Sequence, residues 1–355
     1  MQESNLTFSS FYENAASPKK GCKNTGSHVL GLLLVVALVV LTPHAVTAST
    51  YYVATTGSDA NPGIQTYPFR TIAKGLSVTR AGDTLFIRGG SYNESIDSNR
   101  QTIPTGTSWA NAPRIAAYLA APYEVVVLNG SSSGNVVSLA HGYIQYVIFE
   151  GFVIDATAAT GGISTYGGPH HVRFLNVEVK NSRGSGIFLN RDPSVGSMSF
   201  EFINSKVHNN LSHGFYVTSS NNLIDGCEIY SNGGMNNGNN HYGIQLYNGN
   251  NPRGVNGNVV RGNHIYGHTF EGFAGALVMG SGDRNVAYNN WIYANRNGII
   301  VAGGYPTNTQ IHDNTIHDNS NYGIQVQTGT GAVVKNNTLF LNGINLSFLV
   351  SVSTL

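Results

Sequence analysis

Between Asn308 and Val326 the chain reads N-T-Q-I-H-D-N-T-I-H-D-N-S-N-Y-G-I-Q-V. Ile311 stands five positions before Ile316, with Asn314 between them, and Gly323-Ile324-Gln325-Val326 then alternates apolar and polar residues. Alternation predicts a strand with Ile324 and Val326 on one face and Gln325 on the other. The pattern recurs. The position of Ile316 is matched by Ile154, Val179, Val207, Ile229, Ile265, Ile292 and Leu339. Five residues before each of these lies Phe149, Phe174, Phe202, Ile224, Val260, Ala287 or Val334. The second half returns from Gly186, Gly214, Gly243, Gly275, Gly298 and Gly343. Successive anchors are 25, 28, 22, 36, 27, 24 and 23 residues apart. A period of ~20–50 residues predicts a stacked repeat in which each unit buries its apolar side against its neighbours.

The repeat type follows from what each unit holds: two or three short strands and no 3.6-residue periodicity. Leucine-rich spacing, Trp-Asp pairs and helical pairs are absent, which argues against horseshoes, propellers and α-solenoids. Short strands recurring once per turn in parallel predict an all-β fold, a right-handed parallel β-helix. Asn263, Asn290, Asn314 and Asn337 share one slot, two before the anchor, and side chains stacked ~4.8 Å apart can hydrogen-bond along the stack. The glycine opening each G-I-x-V strand is expected to supply a φ-positive corner.

The coils from Thr84 to Leu346 resemble those of right-handed parallel β-helix proteins of the pectate-lyase-like superfamily. Upstream, Tyr51–Tyr92 contains Y-Y-V-A-T-T-G-S-D-A-N-P-G, P-F-R-T-I-A-K-G-L and A-G-D-T-L-F-I-R-G-G-S-Y. It is similar to the entry module of secreted β-helix enzymes, family-nine pectate lyases among them. Read from its residues, Thr71 caps a short helix whose Phe69, Ile72 and Leu76 form one apolar face. Such a helix, in a module over 49–83, would close the first coil, as a solenoid end requires. Looser strands are expected over Ile115–Leu119, Glu124–Leu128 and Val136–Leu139, with Trp109 in a side-wall loop.

Charged residues make up only 10% of the chain, against ~25% ordinarily, and glycine accounts for 43 of 355 residues. A net charge of +1 gives no basic field for nucleic acid. Val29–Leu41 is apolar apart from Gly31, follows Lys19, Lys20 and Lys23, and precedes Val46-Thr47-Ala48. It predicts an export signal over 1–48, cleaved after Ala48, with an uncleaved anchor as the alternative. The expected product is a secreted or cell-surface monomer with no membrane partner after cleavage. Cys227 stands alone after that segment, which leaves no disulfide partner and suggests an inward core thiol. The uncharged tail, 347–355, either folds over the last coil or marks a truncated frame.

Candidate chemistry lies beside the anchors. One outward column runs Glu178, Lys206, Glu228, His264, Trp291, and the next runs Lys180, His208, Tyr230, Tyr266, Tyr293, His317. Charges with stacked rings suit a groove for an acidic polysaccharide; a solvated sheet face with stacked tyrosines is the plainer reading. Glu178 and Glu228 would stand ~10 Å apart with Lys206 between them. That array is either a structural ion ladder or, with Ca2+ on the two carboxylates, a source of a free lysine base. An inverting glycosidase pair fits less well, because the lysine fills the water's place.

Family-nine lyases hold Ca2+ on Asp-rich segments and use a lysine base. Here the matching stretches are Glu271-Gly272-Phe273-Ala274-Gly275-Ala276 and Arg296-Asn297-Gly298-Ile299-Ile300, so only Glu271 could replace a ligand. The resemblance therefore transfers architecture without its calcium cluster. The Asp-Pro-His-Glu signature of alginate epimerases and the paired Asp of polygalacturonases are also missing. The expected enzyme is a polysaccharide lyase that cleaves by β-elimination, with a glycosidase as second choice. His208 or Lys206 would act as base, Arg261 or a cation would stabilise the enolate, and Tyr230 would protonate the leaving oxygen. Glu178, Lys180, Glu228, His264, Tyr266, Trp291 and Tyr293 would bind substrate. The competing reading is a non-catalytic glycan-binding or adhesin-type β-helix.

Overall fold

The computed structural model describes residues 47–118, 124–130, 133–190, 198–235, 240–249, 254–270 and 274–349. The expected export signal and most of the tail lie outside the described residues. Each coil contributes strands to three parallel sheets of 11, 10 and 10 strands. The first sheet runs from Thr50–Val53 to Val333–Lys335, the second from Gly90–Tyr92 to Thr338–Phe340, and the third from Ile96–Asp97 to Ile344–Phe348.

The predicted anchors coincide. Ile154, Val179, Val207, Ile229, Ile265, Ile292, Ile316 and Leu339 are successive partners in the second sheet. The residues five earlier stack likewise in the first sheet, from Phe149 through Phe174 and Phe202 to Val334. The Phe149, Phe174 and Phe202 rings lie face to face with centroids 5.1 and 4.9 Å apart. These positions are almost fully buried up to Ile316, and each large side chain contributes about 1.5–3 kcal/mol. The first coil is covered by the helix Ile72–Val78. Thr71 Oγ1 accepts the Lys74 N–H at 3.1 Å, and Ile72 and Leu76 are buried in the core with Phe69, Val53 and Leu85.

The third sheet departs from expectation in two coils. Ile244 pairs with Leu277 rather than Ala276, and Ile324 pairs with Leu346 rather than Ile344. Gly275 and Gly343 therefore are not equivalent to Gly243 and Gly323. Gly275–Met279 is apolar on both faces, so it lacks the polar residue that fixes register elsewhere.

The strand-opening glycines also serve a different purpose. Positive φ falls instead at three corners per coil, for instance Asn221, Gly226 and Ser231, or Arg284, Asn289 and Ala294. At Gly243 the constraint is space. A Cβ there would sit 2.7 Å from the Ala276 carbonyl oxygen and 2.8 Å from the His268 ring.

The asparagine ladder is present, and it has companions. Asn263, Asn290, Asn314 and Asn337 are linked by Nδ2–H···Oδ1 bonds of 2.9 Å. Cys227 occupies the preceding rung, buried, with its backbone N–H on Asn263 Oδ1. A second ladder runs Asn222, Asn258, Asn285. A third runs Asn210, Asn232, His268, Asn295, Asn319, Asn342, with an imidazole replacing one amide.

Candidate functional site

The second sheet carries both predicted columns in register. Glu178, Lys206, Glu228, His264 and Trp291 are successive partners, as are Lys180, His208, Tyr230, Tyr266, Tyr293 and His317. His208, Tyr230, Tyr266, Tyr293, His317 and Phe340 form one parallel stack with centroid spacings of 4.5, 5.1, 5.1, 5.4 and 4.7 Å. Ring faces inside the stack are covered by one another, so a sugar meets edges there. Trp291, 45% exposed, stands outside the stack and donates Nε1–H to His317 Nε2 at 2.6 Å.

The ionic groups of this wall are paired. Lys180 Nζ and His208 Nε2 approach Glu178 Oε1 at 2.7 and 3.3 Å. Lys206 Nζ lies 3.0 Å from Glu228 Oε2, and Tyr266 donates its hydroxyl to Glu228 Oε1 at 2.7 Å. Glu228 raises the Lys206 pKa and keeps the ammonium protonated, so Lys206 is no base in this state. Tyr266 and Lys206 in turn hold Glu228 below the usual carboxylate range. His208 goes the other way: burial lowers its pKa against the pull of Glu178, and its Nδ1 is buried without a hydrogen-bond partner. Burial thus favours the neutral imidazole, with Nε2 facing the Glu178 carboxylate and Nδ1 turned inward.

Arg261 is not brought to this group. It lies in the first sheet, where it binds Asp225 Oδ2 at 2.7 Å and the Tyr288 hydroxyl at 3.0 Å. The φ-positive Gly262 turns the chain between Arg261 and His264, which puts the guanidinium on the adjacent wall. Glu178 and Glu228 each face cationic or hydroxyl donors, Lys180 and His208 for the first and Lys206 and Tyr266 for the second. Among the described residues, no three His, Cys, Asp or Glu side chains converge as metal ligands. Glu271 lies outside the described residues.

The third sheet carries a cleft of about 320 Å³ that the column argument did not find. Its outward column runs Phe188, Tyr216, Gln245, Val278, Ile300, Gln325. Val278 and Ile300 are apolar at positions where alternation calls for polar residues. With Tyr242 and Ala302 they form a small apolar cluster separate from the main core. Asn240, Gln245, Tyr247, Gly303 and Gln327 complete the lining. The Tyr247 ring lies against Gly280 and Gly303, where a Cβ would approach it to 3.0 and 3.3 Å. Beside the cleft, His213 Nδ1 accepts the Tyr242 backbone N–H at 3.1 Å, and the two rings stack at 5.9 Å. Burial drops the His213 pKa to about 3 and lifts that of the Tyr242 phenol to about 12, so both are neutral at ordinary pH.

The lining residues Asn240, Tyr247 and Gly303 each sit beside an irregular stretch between strands. The signal that could have located the cleft was the loss of alternation at Val278 and Ile300, since an outward apolar pair needs a cover or a ligand.

A family model described as a right-handed β-helix region matches residues 194–354. One described as a protein of unknown function (DUF1565) matches 55–104. The uncharacterized protein YwoF of Bacillus subtilis strain 168 is 26% identical over 313 residues, 78% of this chain and 63% of its own length. The chain thus spans less than two thirds of that curated relative. Among solved structures, an alginate lyase from Paenibacillus sp. strain FPU-7 aligns with a TM-score of 0.61 at 17% identity, over 86% of this chain and 99% of its own. A lacto-N-biosidase from Eubacterium ramulus aligns at 0.53 and 12% identity, over 85% and 68%. Pectate lyase Pel9A aligns at 0.50 and 17% identity, over 87% and 77%. At these identities the likeness establishes the fold, a right-handed parallel β-helix.

Proposed function

We propose that this β-helix protein is an exported, carbohydrate-active protein that holds a glycan across the outer face of its third sheet. The observation that carries the reading is the cleft of about 320 Å³ on that face, closed at its bottom by the buried Val278, Ile300 and Tyr242 and lined by the Gln245 and Gln327 amides and Tyr247. An apolar floor with a few convergent hydrogen-bonding groups is how proteins hold small polar ligands. The names of the fold neighbours, lyases of alginate and pectate and a lacto-N-biosidase, support a saccharide as the ligand. Export rests on the apolar run before Ala48.

A second reading, β-elimination on an acidic polysaccharide at the second sheet, is favoured by one observation. Burial favours the neutral imidazole of His208, which stands in register with Tyr230 and beside Lys206. The two readings separate in one experiment. The protein is incubated with polygalacturonate, alginate and glycosaminoglycans, with and without Ca2+, and ultraviolet absorbance of unsaturated products is followed. Retention in glycan-loaded gels is measured in parallel. Retention that is lost in Tyr247→Ala, with no product on any substrate, supports the third-sheet site. Product that disappears in His208→Ala supports the second reading, and neither product nor retention sinks both.

A further inference from the structure

We infer that the second sheet carries a contact for a neutral sugar ring, separate from the third-sheet cleft, with Trp291 as its platform. The inference rests on the glycan reading above but concerns another wall. Its first ground is exposure. Trp291 is 45% exposed, and the rings that touch it do so at steep angles. His264, Tyr293 and His317 meet it at 77°, 48° and 44°, so none lies flat on the indole. In the neighbouring column, by contrast, every ring from Tyr230 to His317 is sandwiched. An open aromatic face is what the C–H side of a pyranose stacks upon.

Its second ground is that the exposed ring is held. An indole N–H can only donate, so His317 Nε2, 2.6 Å away, is the acceptor, and the imidazole proton belongs on Nδ1. Asp318 Oδ2 accepts that proton at 2.7 Å. Tyr293 and Phe340 clamp the imidazole from either side, with centroids 5.4 and 4.7 Å away. Asp318, His317 and Trp291 thus form a chain whose last member faces water. Fixing an exposed indole removes rotamer freedom without burying the ring, which gains the fold little. It favours binding, because the ligand no longer has to order the ring itself.

The third ground is the chemistry around the ring. The chain ends in a carboxylate, Asp318, whose side chain is 53% exposed and whose Oδ1 has no partner among the described residues. One imidazole away from the indole, that oxygen accepts from sugar hydroxyls and repels a sugar carboxylate. Among the described residues, no lysine or arginine lies over Trp291 to offset that repulsion. The platform also stands three coils beyond His208, clear of the ion pairs around Lys206.

Trp109 is the other tryptophan of the chain. In Trp109→Phe protein, which keeps a ring under Arg173, tryptophan emission reports on Trp291 alone. Acrylamide quenching of that emission is followed as xylo-, cello-, manno- and galacto-oligosaccharides and oligogalacturonate are titrated into the millimolar range. The titrations are repeated with Tyr247→Ala, which damages the cleft, with His317→Phe, which keeps the stack but loses the acceptor, and with Asp318→Asn. Circular dichroism and thermal midpoints establish that each variant folds. The expected result is protection of Trp291 by at least one neutral series, unchanged in Tyr247→Ala and weakened about tenfold in His317→Phe, with oligogalacturonate about tenfold weaker or inactive. His317→Phe should also lower the fluorescence anisotropy of the free protein, the mark of a loosened indole, and Asp318→Asn should narrow the gap between neutral sugar and uronate. Retention on glycan gels that is lost in Tyr247→Ala, while no sugar alters Trp291, overturns the inference and leaves the third-sheet site standing. Protection that disappears in Tyr247→Ala, or that survives His317→Phe unchanged, overturns it as well. No saccharide bound by either measure defeats both.

Discussion

Replacing His268 by asparagine tests the third ladder directly. His268 is fully buried, its Nε2 facing Asn232 Nδ2 at 3.3 Å and its Nδ1 facing Asn295 Oδ1 at 2.9 Å. The sense of the ladder assigns the proton to Nδ1, with Nε2 accepting. A second proton would set donor against donor at Asn232. Burial, opposed by the Asn295 bond, brings the pKa down from 6.5 to about 4. The unfolded chain takes up a proton below 6.5, whereas the folded chain resists until about 4. The neutral ring's contribution is therefore complete above pH 6.5, falls as the pH drops through that window, and is lost below it. At ~1.4 kcal/mol per pH unit the whole effect is roughly 3 kcal/mol, with roughly 2 kcal/mol gone by pH 5. His268→Asn restores an amide rung and removes this proton linkage. At pH 7 it leaves the smaller side chain in the space beside Gly243, at a cost of ~1 kcal/mol. The assay is urea unfolding of both proteins at pH 7, 6 and 5, followed by far-ultraviolet circular dichroism. His213, whose pKa lies at about 3, adds an acid sensitivity of the same sign to both proteins and cancels in the comparison. The expected outcome is that the wild type loses roughly 2 kcal/mol more than the variant between pH 7 and pH 5. Equal losses would refute the account.

The other predictions concern single positions. Ala294 sits at φ 52°, so Ala294→Gly or Ala294→Asn should stabilise by about 1 kcal/mol, read as a raised thermal midpoint. Asn290→Asp replaces the amide that donates to the Val260 carbonyl and to Asn314 Oδ1 with a buried carboxylate; the expected loss is about 3–5 kcal/mol or failure to fold at neutral pH, seen in secretion yield and urea midpoint. The Cys227 thiol is buried and its pKa pushed up to about 12, so native protein at pH 8 should resist iodoacetamide and react once unfolded in urea, as followed by mass spectrometry.

The winding of the chain was legible because the inward positions repeat. Phe174 and Val179 have counterparts five residues apart in the next coils, and the first two sheets pair them as spaced. The columns beside Val207 followed from alternation alone. What the repeat does not encode is which wall is hollowed. On the second sheet the side chains of Lys206, Glu228 and Tyr266 satisfy one another, a fact about side-chain geometry that residue types leave open. On the third sheet the cleft depends on Tyr247 lying across Gly280 and Gly303, contacts between coils that are irregular in length. Arg261 was misplaced because a sequence shows how far apart two residues are, while the corner at Gly262 decides which way each faces. The glycines before the third-sheet strands were read as corners, although their function is to leave room for the next coil's backbone and ladder side chains.

In all three ladders the amide-to-amide bonds run from one coil to the following one, while the amides also donate to backbone carbonyls of the preceding coil, as Asn263 does to Ile224 and Asn290 to Val260. The side-chain dipoles therefore add head to tail, and each bond polarises the next. The protein's interior is thus electrically directional along its length, like a stack of magnets laid pole to pole, and reversing one rung would set it against both of its neighbours.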